Sequence, residues 1–242
     1  MSRRTVAVVL AGGLGTRLGG EQPKQLLRLG GTTILGHAIA AFERSPLVDE
    51  VLVVMNPGHL DEAHDVVREH GFTSVRTVVE GGATRTDSTL AALAALGDED
   101  CDVLVHDAAR PLLPDHVVTA CVEALRDHEA VEPVLPLVDT VVTVDADVVS
   151  GLHERETLRR VQTPQGFRLA TLRRAYDLAT ADPGFTATDD ASVVVRYLPD
   201  VPVAVVPGDE RNLKVTGPMD VVVAEHLLAR DAHEFGAGDV SR

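Results

Sequence analysis

Apolar positions follow two rhythms along this chain. Short runs rich in Val, Leu and Ala, at 6–10, 51–55, 75–79, 103–106, 131–135 and 203–206, have the length of single strands. Most are near-continuous apolar runs, as strands covered on both faces are. Between them lie longer segments with apolar residues every third or fourth position, at 33–43, 60–70, 84–96, 115–128, 169–181, 189–196 and 218–229, which predict helices. Buried strands alternating with helices predict an α/β fold: a Rossmann-like, mostly parallel sheet with helices on both faces. In such sheets ligands sit beyond the carboxyl ends of the strands, so the segments that follow these runs are where chemistry is expected.

One stretch breaks the alternation. Residues 139–156 hold two β-like runs on either side of Asp145-Ala146-Asp147, the pattern of a hairpin that need not join the main sheet. The residues alone leave it open whether this is a decorated loop or a dimerisation arm. The expected organisation is one domain over 1–229 with this insertion, then a polar, Gly-containing tail over 230–242 that frays.

Composition narrows the partners. There are 22 Lys and Arg against 37 Asp and Glu, a formal net charge of −15, which argues against a nucleic-acid backbone or an anionic membrane surface. It does not exclude a small anion, because a few local cations outweigh a diffuse field at short range. The first apolar run is too short for a signal peptide or membrane span. Cys101 and Cys121 have no metal-like spacing and read as reduced, partly buried thiols, so a cytoplasmic protein is expected. None of the ten histidines forms H-x-x-x-H, and Ser88 and Ser192 lack a nucleophile elbow, so zinc catalysis and hydrolase chemistry fit poorly.

The first strand runs into Leu10-Ala11-Gly12-Gly13-Leu14-Gly15-Thr16-Arg17-Leu18-Gly19-Gly20, and Pro23-Lys24-Gln25 follows. Leu18 stands where a dinucleotide fingerprint needs its third glycine, and no Gly-Lys-Ser/Thr follows, so neither common phosphate motif is met. Glycines after a strand still let backbone N–H groups approach phosphate, and Arg17 and Lys24 can neutralise a triphosphate. The plainer possibility is a tight turn with two solvated cations. In His106-Asp107-Ala108-Ala109-Arg110-Pro111 the aspartate ends a strand, either to hold Mg²⁺ or to lead a helix with Arg110 as a surface partner. Glu80-Gly81-Gly82-Ala83-Thr84-Arg85-Thr86-Asp87-Ser88 leaves room for a flat ring, or is a loop with a Thr or Ser cap. Thr188-Asp189-Asp190-Ala191-Ser192 reads as a helix start with Thr188 as N-cap.

Together these blocks resemble the nucleotidyltransferases that activate sugar and polyol phosphates, and within them the 2-C-methyl-D-erythritol 4-phosphate cytidylyltransferases. The matching segments run in family order from Leu10 to Thr216. The resemblance implies Arg17 and Lys24 as catalytic cations and Asp107 as the ligand of Mg²⁺ or another divalent cation. It implies CTP binding by Leu10, Ala11, Gly12, Gly13, Gly15, Gly82, Ala83, Ser88 and Ala108. It implies that Arg110, Thr140, Arg155, Thr163, Thr188 and Lys214 hold a polyol phosphate. Family members often carry a polar residue where Ala83 stands, which leaves a backbone contact there. The small Ala109 favours methylerythritol phosphate over ribitol phosphate. The insertion becomes an arm that embraces a second subunit and shares the active site, so a homodimer is expected. The implied reaction is attack by the acceptor phosphate on the α-phosphorus of CTP with loss of pyrophosphate, as a step of non-mevalonate isoprenoid precursor synthesis. The alternatives are a cytidylyltransferase for another polyol phosphate, such as ribitol 5-phosphate, and a non-catalytic nucleotide-binding module.

Overall fold

The computed structural model describes residues 3–13 and 23–236. The first strand, β1 (Arg4–Ala11), is apolar from Val6 onward and buried on both sides. Ala7, Val9 and Ala11 enter one core and Val6, Val8 and Leu10 the other, the period-2 split of a central strand. The remaining strands are β2 (Arg28–Leu29), β3 (Thr32–Thr33), β4 (Glu50–Met55), β5 (Val75–Glu80), β6 (Cys101–Asp107), β7 (Ala130–Pro136), β8 (Val142–Asp145), β9 (Val148–Leu152), β10 (Arg159–Val161), β11 (Gln165–Arg168) and β12 (Val203–Pro207). The helices are α1 (Ile34–Glu43), α2 (Leu60–His70), α3 (Arg85–Leu96), α4 (Asp115–Ala124), α5 (Leu169–Thr180), α6 (Asp190–Tyr197) and α7 (Pro218–Gly236).

The main sheet runs β5-β4-β1-β6-β11-β7-β12, with β10 beside the far half of β7. β4, β1, β6 and β5 are mutually parallel, as are β7 and β12, so the predicted mostly parallel sheet holds. Helices α1, α2 and α4 cover one face, and α3, α5 and α6 the other. A third, smaller cluster of Leu29, Ile34, Leu112, Val215 and Ala224 seats α7 and the loop before it against the carboxyl end of the sheet.

The antiparallel β10 and β11 have no counterpart in the sequence pattern. β11 is only Gln165-Gly166-Phe167-Arg168, too short and too mixed to show a period, yet it separates β6 from β7. Gly166 permits this: a Cβ there would lie 2.7 Å from a Val131 methyl and 3.0 Å from Leu125. The hairpin appears where expected, as β8 and β9 in a sheet of their own. Its two turn residues, Ala146 and Asp147, have φ of 42° and 69°. Positive φ at both central positions is the mirror-image turn that suits hairpin twist.

Two boundaries differ from expectation. α4 ends at Ala124, and its expected last turn tightens so that Ala130 can enter β7; the N–H groups of Arg126, Asp127 and His128 return to the carbonyls of Glu123 and Ala124. α7 continues seven residues past 229 to Gly236. Glu99 and Asp100 lie in the turn before β6, where they pair with Arg4, Arg76 and Arg3. Among the described residues no helix is long and apolar enough to cross a membrane. Both cysteines are buried thiols.

Replacing Gly166 by Ala should destabilise the protein by about 1–3 kcal/mol, the usual cost of overpacking a closed core. Urea denaturation checks this, and an unchanged midpoint would mean that β7 yields freely.

Candidate active site

Two glycine loops leave the sheet side by side, one after β1 and one after β5. The hydroxyl of Ser88 sits between them: a Cβ on Gly12 would meet its Oγ at 2.5 Å, and a Cβ on Gly81 at 2.7 Å. A Cβ on Gly82 would collide with Asp87. α3 is anchored directly behind by a capping box, with Asp87 N donating to Thr84 Oγ1 and Thr84 N to Asp87 Oδ2. Ser88 is itself buried and donates to Thr84 O at 3.1 Å. It therefore sets the spacing of the loops from below, and Ala83 stays exposed above.

Asp107 ends β6 at the mouth of this gap. Its Oδ2 accepts from Lys214 Nζ at 2.7 Å and its Oδ1 from Arg85 Nε at 3.1 Å. Burial pulls its carboxyl upward, but the Arg85 and Lys214 cations outweigh that and hold it well below the usual carboxylate range. Its main-chain N–H donates to Thr163 Oγ1 at 3.1 Å, and that hydroxyl lies 3.0 Å from His106 Nδ1. His106 Nε2 lies 3.1 Å from the Arg110 carbonyl, which can only accept, so Nε2 carries the proton and Thr163 donates to Nδ1. Burial pushes this imidazole down to about 4, consistent with a neutral ring.

The loop before α7 brings the other cations. Val215 N–H donates to Ala109 O at 2.7 Å, and Val215 O accepts from Lys24 Nζ at 3.0 Å. Asn212, fully buried, donates to Thr163 O, and Gln162 binds both Asp209 O and Asn212 O. Arg110 Nη1 donates to Asn212 O at 2.7 Å, which straps the loop to the end of β6.

The result is a cleft of about 210 Å³ that gathers Leu10, Gly12, Gly13, Lys24, Ala83, Ser88, Asp107 and Lys214, with Gln25, Thr84, Arg85 and Ala109. Ala11 and Ala108 are fully buried next to it. Gly15 and Arg17 lie outside the described residues. Thr163 faces inward, its proton committed to His106, so it stands behind Asp107. Thr140 and Arg155 are on the exposed arm and do not line the cleft of their own chain; Arg155 donates to Val138 O at 2.8 Å. Thr188 is not the N-cap of α6. Asp189 is, accepting from Ser192 N at 2.8 Å, because α6 starts at Asp190 and the capping position is the residue directly before it. Thr188 is left exposed.

Sequence reasoning overlooked Arg85 and its second carboxylate, Asp190, 2.7 Å from Arg85 Nη1. The available signal was the position of Arg85 directly after the helix cap, where a cation opposes the helix dipole and needs an anion to hold it. Gln165 is a further buried polar residue of this region. Its Oε1 accepts from Asp190 N and Ala191 N, and its Nε2 donates to Glu132.

A mostly parallel α/β sheet whose strand ends carry two glycine loops, a buried aspartate and converging lysines has the make-up of a nucleotide-dependent transferase. The family model for 2-C-methyl-D-erythritol 4-phosphate cytidylyltransferase matches residues 5–230. A protein of that name from Thermobifida fusca is 53% identical over 232 residues, 93% of each chain. A solved 4-diphosphocytidyl-2C-methyl-D-erythritol synthase from Anaerococcus prevotii superposes with a TM-score of 0.83 at 28% identity, covering 94% of this chain and 99% of that one. A bifunctional ribulose 5-phosphate reductase/CDP-ribitol pyrophosphorylase from Haemophilus influenzae is 36% identical over 95% of this chain and 49% of its own length. The chain belongs to the 2-C-methyl-D-erythritol 4-phosphate cytidylyltransferase family.

Two outcomes follow from this geometry. Gly12→Ala should sharply reduce nucleotide binding measured by calorimetry, and Gly12→Ala with Ser88→Ala should restore much of it, since the nearest remaining atom, the residue-88 Cβ, is 3.6 Å away. No rescue would show that the loop spacing does not depend on Ser88. Burial and the nearby Asp189 charge push the Glu132 carboxyl up to about 7. A raised carboxyl destabilises the fold where it must ionise, so stability is fully present below the ordinary carboxylate pKa and is lost as pH rises through 7. Glu132→Gln should therefore be more stable than the parent protein at pH 8, with the gain vanishing at pH 5, as read by urea denaturation at both values.

Proposed function

We propose that the protein transfers a cytidylyl group from CTP to 2-C-methyl-D-erythritol 4-phosphate, giving 4-diphosphocytidyl-2-C-methyl-D-erythritol and pyrophosphate in non-mevalonate isoprenoid precursor biosynthesis. Its family membership over nearly the whole chain carries this reading, and the cleft that sets Lys24, Lys214 and Asp107 beside Gly12 and Gly13 supports it. An acceptor phosphate oxygen forms the new bond to the α-phosphorus as the bond to the β-phosphate oxygen breaks, and pyrophosphate leaves with that electron pair. The nucleophile is already anionic, so no general base is required. The protein's task is to align two mutually repelling anions and neutralise the charge of the transition state.

Lys24, with Arg17, serves the triphosphate; Lys214 and Arg110 serve the acceptor side, with Thr188 exposed nearby in sequence to Asp190. The base is read by glycine-loop backbone around Gly82 and Ala83. The residues fit a divalent cation delivered with the nucleotide. Asp107 offers one carboxylate with about four lone-pair sites, two of them used by Arg85 and Lys214. Mg²⁺ is bound typically through one or two carboxylates, substrate phosphate oxygens and water, so one carboxylate at Asp107 with the nucleotide's phosphates would suit it. When bound, Mg²⁺ neutralises phosphate charge and orients the triphosphate.

The working unit is a homodimer in the cytoplasm. Val138, Val144, Val148 and Leu152 of the arm are each more than half exposed in the single chain, an apolar surface suited to a second copy. Thr140 and Arg155 then complete the cleft of that copy.

Pyrophosphate release should be seen with CTP and methylerythritol phosphate, and far less with the other three nucleotides or with ribitol 5-phosphate, the acceptor type suggested by the name of the Haemophilus relative. Lys24→Ala should lower kcat by about 10²–10³-fold with the fold intact. Near-normal turnover would remove Lys24 from catalysis. Mixing Lys24→Ala with Arg155→Ala should partly restore activity in mixed dimers; no recovery would count against the shared site.

A further inference from the structure

Resting on the metal-holding role proposed above for Asp107, a further role can be assigned to Arg85. The two cations on Asp107 are unequal. Lys214 meets Oδ2 with a single ammonium, and its side chain is 43% exposed. Arg85 is 25% exposed and held at both ends: Nε on Asp107 Oδ1 at 3.1 Å and Nη1 on Asp190 Oδ2 at 2.7 Å. Asp190 has no solvent exposure, and its Oδ1 accepts from Tyr176 Oη at 2.7 Å and Thr89 Oγ1 at 2.9 Å. Its main-chain N–H, with that of Ala191, is fixed on Gln165 Oε1. A bidentate-capable guanidinium locked between two carboxylates cannot leave either without stranding a buried charge. The lysine can leave, because water or a phosphate oxygen can receive its ammonium.

We propose that Arg85 is the positioning residue of the site: it fixes the orientation of the Asp107 carboxylate, leaves the Lys214 contact as the exchangeable one, and ties that carboxylate through Asp190 to the start of α6 beside Thr188. Asp107 would then offer a nucleotide-borne cation a preset oxygen, and Lys214, released from Asp107, would turn to phosphate. Groups that orient a metal ligand from behind act on metal affinity as well as on rate.

The test is an EPR titration of Mn²⁺ into the protein with CTP present, beside calorimetric binding of CTP without metal and pyrophosphate release. Arg85→Lys keeps the charge but cannot span both carboxylates. Its Mn²⁺ affinity should fall about 10–100-fold while metal-free CTP binding stays within about twofold. Asp190→Asn, which leaves Arg85 in place and frees its far end, should shift Mn²⁺ affinity in the same direction by less. Unchanged Mn²⁺ affinity in folded Arg85→Lys overturns the proposal even if turnover drops, because damage of a merely structural kind lowers turnover without moving metal binding. If Arg85→Lys does not fold, unchanged affinity in Asp190→Asn overturns it. Wild-type protein that binds Mn²⁺ and CTP but releases no pyrophosphate sinks the proposed reaction and leaves the role of Arg85 standing. Wild-type protein that binds no Mn²⁺ with CTP sinks the role of Asp107 and this proposal with it.

Discussion

The Asp107 carboxylate, gripped by Arg85 on one oxygen and Lys214 on the other, is the interaction on which the carboxyl end of the sheet depends. A carboxylate this buried is costly unless it is paired, and each partner comes from a different part of the chain. Arg85 draws in the start of α3 and, through Asp190, the start of α6. Lys214 draws in the loop before α7, which also carries the carbonyl that receives Lys24. Three helix starts and Lys24 thus converge because one strand ends in an acid. Behind the acid, Thr163 and a neutral His106 fix the backbone from which it projects.

The loops are governed by a second constraint, steric where the first is electrostatic. Ser88 lies between Gly12 and Gly81 at a separation no Cβ would tolerate. The glycines of the two loops therefore do different work. Gly12 and Gly81 let the loops approach one another, and Gly82 lets its loop pass over Asp87. The net charge of −15 describes none of this. Part of that acid is bound to Arg3, Arg4 and Arg76 at the opposite end of the strands, while the cleft has its own local balance.

Six strands and seven helices were legible because parallel strands buried on both faces leave uninterrupted apolar runs, as in β1, β4 and β6. β11 was not, because four residues including Gln165 and Gly166 carry no period and owe their place to the gap they fill. Lys24, Asp107 and Lys214 stood in recognisable motifs, and the fold brings them together. Arg85 and Asp190 were hidden because their importance is a pairing across roughly a hundred residues of chain, which no local pattern reports. The cap of α6 slipped by one residue for a similar reason: Thr188 and Asp189 are both good caps, and only the geometry of the helix start chooses between them.

The placement of β11 also orders events during synthesis. β6 and β7 are consecutive parallel strands of the main sheet, yet they share no ladder; β11, which begins 35 residues after β7 begins, pairs with both. As the chain emerges, β1, β4, β5 and β6 can assemble with α1, α2 and α3, but the first half of β7 must wait without its partner on that side until Gly166 and Phe167 arrive. The arm is made in the interval, before the sheet that supports it is closed. A nascent chain stalled short of residue 165 would hold an open β6 edge and a waiting β7, which makes this stretch the point of greatest exposure to chaperones and to mispairing.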